Sequence, residues 1–251
     1  MKVMNYDIFI DELSTIDLKK RTIINTINPH SYILAKNDKE FNQALKNSDI
    51  LVPDGSGIVL ATKFIYGKDI KKIAGADVHK FLLEALNNSN GKVFYMGSSE
   101  DTLNQIEKKL KIEYPSILID SYSPPFKDFF SDEDNKIIIN KINAFYPDVL
   151  FIGMTAPKQE KWLYEHKDKL NFRVASSVGA VFDFYVDKIK RSSPFWISLH
   201  LEWLPRLVKE PKRLWRRNFI STPLFILEML KERKNINLSL KKRINKKIEF
   251  S

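Results

Sequence analysis

Short apolar runs bounded by turn residues recur along the first 190 residues of this chain, and between them apolar positions fall at helical intervals. Residues 21–28 (RTIINTIN) read as a buried strand that ends at Pro29. From 30 to 47, Ile33, Leu34, Phe41, Ala44 and Leu45 keep near-helical spacing, which predicts one helix. Further strands are expected over 49–53, 91–97, 116–120, 148–154 and 173–177. Helices are expected over 56–64 and 76–86, from Ser98-Ser99-Glu100-Asp101 to about 112, from Ser131 to about 145, and from Thr155 with Pro157 near the first position. Such alternation predicts an α/β fold: a Rossmann-like, mainly parallel sheet with helices on both faces. The turns at Asn28, Asp54, Gly97, Gly153 and Gly179 follow strands, so they should converge on one edge of the sheet, where open α/β sheets bind ligands.

Past Lys190 the pattern changes. Pro194, Pro205, Pro211 and Pro223 divide the rest into short helices, with Trp196, Trp203 and Trp215 interleaved among Arg206, Arg213, Arg216 and Arg217. The expected organisation is therefore an α/β body, residues 1–190, and a basic helical appendage, 191–251. At least one of these tryptophans should pack the appendage onto the body. The longest apolar stretch there, 219–230, is broken by Pro223 and Glu228 and falls short of the ~20 residues that span a bilayer. A helix carrying aromatic and basic residues can instead lie in a membrane interface.

Charge follows the same division. Residues 188–251 carry 17 Lys and Arg against 5 Asp and Glu, a net of +12, which leaves −2 on the preceding 187 of a chain whose total is +10. That asymmetry points the basic part at something anionic, either nucleic acid or an acidic membrane surface. The absence of cysteine excludes disulfides, zinc-thiolate sites and a cysteine nucleophile, and agrees with a reducing compartment. Acids in the first 13 residues (MKVMNYDIFIDEL) stand where a signal peptide needs an apolar core, so no secretion signal is expected.

The stretch Leu51-Val52-Pro53-Asp54-Gly55-Ser56-Gly57 carries the most chemistry. It places a carboxylate at a strand end, and its glycines let a ligand approach the backbone. An N-capping Asp at an ordinary turn explains it equally well. Thr26 and Asn28 read on their own as turn and capping residues. The acids Asp132, Glu133 and Asp134 have the look of a metal motif, but the chemistry of a helix start accounts for them more simply. Lys158 and Glu160 read as solvated.

Together these motifs resemble the WecG/TagA/CpsF family of bacterial glycosyltransferases, glycosyltransferase family 26, over residues 4–217. The marks are Thr26-x-Asn28, Pro53-Asp54-Gly55-x-Gly57, Gly75-Ala76-Asp77, and Gly153-Met154-x-x-Pro157-Lys158-Gln159-Glu160. Val178-Gly179-Ala180 with Phe182-Asp183, and Glu202-Trp203-x-x-Arg206 with Pro211-x-Arg213, complete the set. The resemblance implies transfer of a sugar, often of N-acetylmannosamine type, from a UDP donor to a sugar on undecaprenyl diphosphate, for teichoic acid, capsule or other surface polysaccharide. It also implies a metal-independent enzyme with no cofactor beyond the UDP-sugar. Its place would be cytoplasmic, peripheral to the inner face of the membrane, with a homo-oligomer open.

Inverting glycosyl transfer needs a base on the acceptor hydroxyl and cationic or dipolar groups on the departing diphosphate. Asp54 is the candidate base, with Thr26 orienting the acceptor or the carboxylate and Asn28 holding a sugar hydroxyl. Donor binding falls to Gly97, Gly153, Met154, Pro157 and Gly179, with helix N-termini after Gly97 and at Pro157. Gln159 would read uracil or ribose, and Lys72, Arg206, Arg213 and Arg216, or Arg217, would supply positive charge, the arginines as lids. Lys72 stands where most members carry Arg, keeping the charge but not the two-pronged geometry. Residues 184–187 lack the usual glycine, and Arg191-Ser192-Ser193-Pro194 replaces a tighter segment, both bearing on the hinge to the appendage. Two other classes are a nucleic-acid-binding protein using the basic segment and a Rossmann oxidoreductase, for which G-x-G-x-x-G is missing after the first strands.

Overall fold

The computed structural model describes residues 1–188, 196, 204, 207 and 211–249, with backbone alone at 212, 213 and 240–249. The chain opens with a hairpin that no periodicity announces, β1 (Lys2–Val3) and β2 (Tyr6–Asp7). Its two turn residues, Met4 and Asn5, both carry positive φ, as a two-residue I′ connection requires.

The main sheet has six strands, all paired in parallel, in the order β4-β3-β8-β7-β5-β6. They are β3 (Thr22–Ile27), β4 (Ile50–Pro53), β5 (Lys92–Gly97), β6 (Leu118–Tyr122), β7 (Val149–Gly153) and β8 (Val174–Ser177). Crossovers are made by α1 (Pro29–Asn37), α2 (Lys39–Lys46), α3 (Ser56–Tyr66), α4 (Gly75–Ser89), α5 (Glu100–Glu113), α6 (Asp132–Phe145) and α7 (Lys158–His166), and α8 (Val181–Tyr185) follows the last strand. Alternation along each strand sets the layers. On β5, Val93 and Tyr95 pack with Leu82 and Leu83 of α4, Leu103 and Ile106 of α5, and Phe182 of α8. Phe94 and Met96 turn the other way, to Ile138 and Ile142 of α6 and Trp162 and Leu163 of α7. The expected two-faced parallel sheet is what forms.

The helix expected over 30–47 is two helices. Asp38, with φ −122° and ψ 104°, leaves the helical region and accepts from Phe41 N at 3.0 Å, so it ends α1 and caps α2. Pro157 stands at the N-cap of α7, next to its first position, as expected. Strand β6 lies two residues later than expected, because Ile117 is spent on the core beside α5 and pairing starts when Leu118 meets Lys92.

Beyond the body, α9 (Pro211–Arg216), a π turn (Arg217–Ser221) and α10 (Thr222–Glu249) follow one another without a break. Pro223 therefore does not divide the segment as expected. It sits in the first turn after the π turn, where its missing N–H costs least, and Thr222 Oγ1 bonds back to Arg217 O at 3.1 Å. Phe225, 2% exposed, enters a third core cluster with Tyr32, Ile58 and Ala61 of α1 and α3 and with Tyr6 of the hairpin. Burying such a ring contributes about 2–3 kcal/mol, against about 0–1 for the surface pair Lys36–Glu228 beside it, so apolar packing holds α10 on the body. Trp215 is exposed instead of packing inward. Among the described residues no helix is long and apolar enough to cross a membrane. Trp203, Arg206 and the hinge at 191–194 lie outside the described residues, as does the Arg213 side chain.

Candidate active site

Parallel pairing brings the strand ends together, as expected. Asp54 is the first residue past β4, half-buried, and its N–H donates to Ile27 O at 2.9 Å, which pins the turn to the end of β3. Gly55 follows with φ 84° and ψ 157°, backbone that a side chain tolerates badly, although a Cβ there would meet nothing within 4 Å. Gly57 is needed for the opposite reason: its Cβ would stand 2.2 Å from Pro29 Cγ, where α3 crosses the start of α1. Ile73 N donates to Pro53 O at 3.0 Å, so Lys72 arrives beside the same turn. At the start of α4, a Cβ on Gly75 would lie 3.3 Å from Val181 Cγ2, 3.6 Å from Val178 O and 3.8 Å from Thr26 Cγ2. Thr26 and the turn after β8 thus share one rim with Asp54.

Asn28 is committed as the cap of α1. Its Oδ1 accepts from His30 N at 3.0 Å and Ser31 N at 3.1 Å, and Ser31 Oγ accepts from Asn28 N at 2.8 Å. What it can still offer a sugar is Nδ2–H.

On the other half of the rim, Gly97 and Gly153 are paired across β5 and β7. A Cβ on Gly97, whose φ is 108°, would stand 2.6 Å from Gly153 O, and one on Gly153 would stand 2.3 Å from the Phe182 ring. Gln159 is 3% exposed and does not face solvent. Its Oε1 accepts from Met154 N and from Gly179 N, both at 3.1 Å, and so ties the turn after β7 to the turn after β8. Glu160 corrects the expectation of a solvated carboxylate: it too is 3% exposed, accepts from Gln159 Nε2 at 2.9 Å, and is pushed up to about 7 by burial. Lys158 is half-buried, with Nζ 3.6 Å from the Phe130 ring centroid.

The π turn reaches the same edge. His30 Nδ1 meets Ser221 Oγ at 2.8 Å, two residues beyond Asn28. The His30 pKa is lowered by burial and, second, by the positive charge of Arg217. Arg216 is exposed, its guanidinium 5.5 Å from the Trp215 ring centroid. His30 and Glu160 are the two residues that sequence reasoning missed. Glu160 lies three residues before Leu163, a spacing that puts both on one inward face; His30 gave no such signal.

The acids at 132–134, the chain's one Asp-x-Asp, open α6. Ser131 Oγ accepts from Asp134 N at 3.2 Å, and Asp134 Oδ2 accepts from Ser131 N and from Lys127 Nζ. Among the described residues no three His, Asp or Glu side chains are gathered as a metal would need.

This geometry defines an α/β protein of Rossmann-like type, with a carboxylate, glycine turns and cationic side chains along the carboxyl edge of a parallel sheet. The chain belongs to the WecG/TagA/CpsF family of glycosyl transferases, whose family model matches residues 1–238. It is 32% identical over 233 residues to the N-acetylglucosaminyldiphosphoundecaprenol N-acetyl-beta-D-mannosaminyltransferase of Bacillus subtilis (strain 168), across 92% of this chain and 88% of that protein. The protein of the same name from Bacillus spizizenii is 31% identical over 226 residues, across 89% of this chain and 85% of its own. That of Staphylococcus aureus (strain MW2) is 25% identical over 234 residues, across 93% and 88%. This chain is therefore a glycosyltransferase.

Proposed function

We propose that the enzyme moves an N-acetylmannosamine-type sugar from a UDP donor to N-acetylglucosamine carried on undecaprenyl diphosphate, with inversion and without a metal. The acceptor is the one named for the relatives, which match nearly the whole chain. The observation that carries the chemistry is Asp54, held by Ile27 O at the mouth of the sheet edge and followed by Gly55 and Gly57. In the reaction the acceptor oxygen forms a bond to the anomeric carbon from the face opposite the departing diphosphate. Its proton passes to the Asp54 carboxylate, and the sugar–phosphate bond breaks to release UDP. Thr26 orients the acceptor, and Asn28 holds a sugar hydroxyl through Nδ2. Negative charge on the leaving group is met by Lys72 beside the turn, by the backbone turns at Gly97 and Gly153 and the start of α7 after Pro157, and by Arg206, Arg213 and Arg216, while Met154, its N–H bonded to Gln159, shapes the pocket wall. Gln159 serves this site through Met154 and Gly179 rather than by touching the base directly.

The acceptor is a lipid, and the basic segment suits an anionic membrane surface. Phe219, Ile220, Leu224 and Leu227 are exposed on the π turn and α10, next to Arg216 and Arg217. Apolar side chains bordered by cations fit an interfacial helix.

Asp54→Asn should keep the fold and UDP binding while turnover, read as UDP release with a lipid-linked monosaccharide and a panel of UDP-sugars, falls by about 10²–10⁴. Normal turnover by that variant would remove Asp54 as the base. Liposome flotation run beside a gel shift at one ionic strength separates a membrane surface from nucleic acid as the partner of the basic segment.

A further inference from the structure

Gln159 and Glu160 open α7 with both side chains turned inward. Two backbone N–H groups, from Met154 and Gly179, converge on Gln159 Oε1. The amide cannot turn over without aiming its own N–H groups at those donors. The opposite end of the amide is held by Glu160 Oε1. The second oxygen, Oε2, is buried and has no hydrogen-bond partner among the described residues.

Among the described residues no neighbouring charge contributes to the state of this carboxyl; burial raises it to about 7, against the opposing hydrogen bonds from Gln159 and its own backbone. The titratable groups on the elements around it are engaged elsewhere or neutral. Lys161 of α7 is bound to Asp38 and Glu40 at the start of α2, and Lys158 covers the Phe130 ring. His166, at the far end of α7, has its pKa lowered chiefly by burial. On the face of the sheet that α7 covers, alternation along β8 and β3 places the buried hydroxyl of Ser177 and the buried amide of Asn25.

We propose that Glu160 is a positioning residue for the sugar-donor site: its carboxyl fixes the Gln159 amide, and through that amide the turns at Met154 and Gly179. The proposal rests on the reading of those two turns as part of the donor site. The protonated carboxyl supplies an acceptor oxygen to Gln159 at little electrostatic cost in a dry site. The bond from Gln159 by itself favours the ionised form, but an ionised carboxyl there has no counter-cation among the described residues and is relieved only by opening the site to water, which parts the two turns.

The test uses the full chain as wild type, Glu160→Gln, which keeps an acceptor oxygen but does not titrate, and Glu160→Met, which keeps the volume but offers none. Amide hydrogen exchange at Met154 and Gly179 is read without ligand, and KM for the UDP-sugar and kcat are read across the neutral range. In wild type, KM should rise as pH passes through the Glu160 pKa, and in Glu160→Gln it should stay flat. Glu160→Met should exchange those two amides about tenfold faster and raise KM by about tenfold, the equivalent of one buried hydrogen bond, with kcat within about twofold. Wild-type exchange at both amides in Glu160→Met, or coincident KM profiles for wild type and Glu160→Gln, would overturn the proposal. Exchange behaving as expected in a protein that turns over no UDP-sugar would leave the clamp standing and remove the donor reading instead.

Discussion

The glycines on the rim answer to different constraints, and substitutions separate them. Gly55 has room for a Cβ but backbone angles that disfavour one, whereas Gly97 is held by both its φ of 108° and a carbonyl 2.6 Å from the would-be Cβ. Gly153 O is backbone and cannot rotate aside. Gly97→Ala should therefore cost about 2–4 kcal/mol of stability, read as a shift of the urea midpoint, and Gly55→Ala about 1–3, from backbone strain alone. Asp54 stood out in the sequence because carboxylate and glycines were contiguous. Glu160 did not, because a lone acid in a helix looks solvated until the tertiary fold covers it.

At the scale of elements, the two interruptions that periodicity concealed are both local hydrogen-bonding events. Asp38 trades one turn of helix for a cap, and its replacement by Ala should cost about 1 kcal/mol, seen as a lowered urea midpoint with no loss of the sheet. The π turn before α10 does the reverse, letting a helical run continue past Pro223. Its docking is dominated by one ring. Phe225→Ala should cost about 3–5 kcal/mol of local stability, appearing as faster amide exchange over residues 222–239 while strands β5 and β7 exchange as before. Protection of α10 unchanged in that variant would show that the polar contacts hold it.

For the whole molecule, two fully buried groups set opposite slopes of stability against pH. His79, bonded to Tyr95 at 2.8 Å, is held down to about 3 by burial, so the unfolded chain binds its proton first. Its contribution is complete above pH 6.5 and is lost as pH falls through about 3. Glu160, raised to about 7, contributes fully below its ordinary 4.5 and loses that contribution as pH rises through 7. The two shifts correspond to roughly 5 kcal/mol for His79 and roughly 3 for Glu160; over the window they share, from pH 6.5 down to 4.5, they offset one another and stability should vary little, then fall below 4.5 as His79 alone continues. In Glu160→Gln the compensation is gone, and thermal midpoints should drop from pH 6.5 downward.

The sequence by itself determined the parallel α/β architecture, the family and the Asp54 turn, because strand alternation, helix starts and glycine turns are written in residues a few positions apart. It also placed the cationic segment after the last strand. Only the tertiary structure decided that α10 lies along α1 and α3, that Asn28 is spent on a cap, and that Gln159 and Glu160 are inside. Those outcomes depend on what covers a side chain, and the covering atoms come from segments 20 to nearly 200 residues away, at distances in sequence where no periodicity reaches.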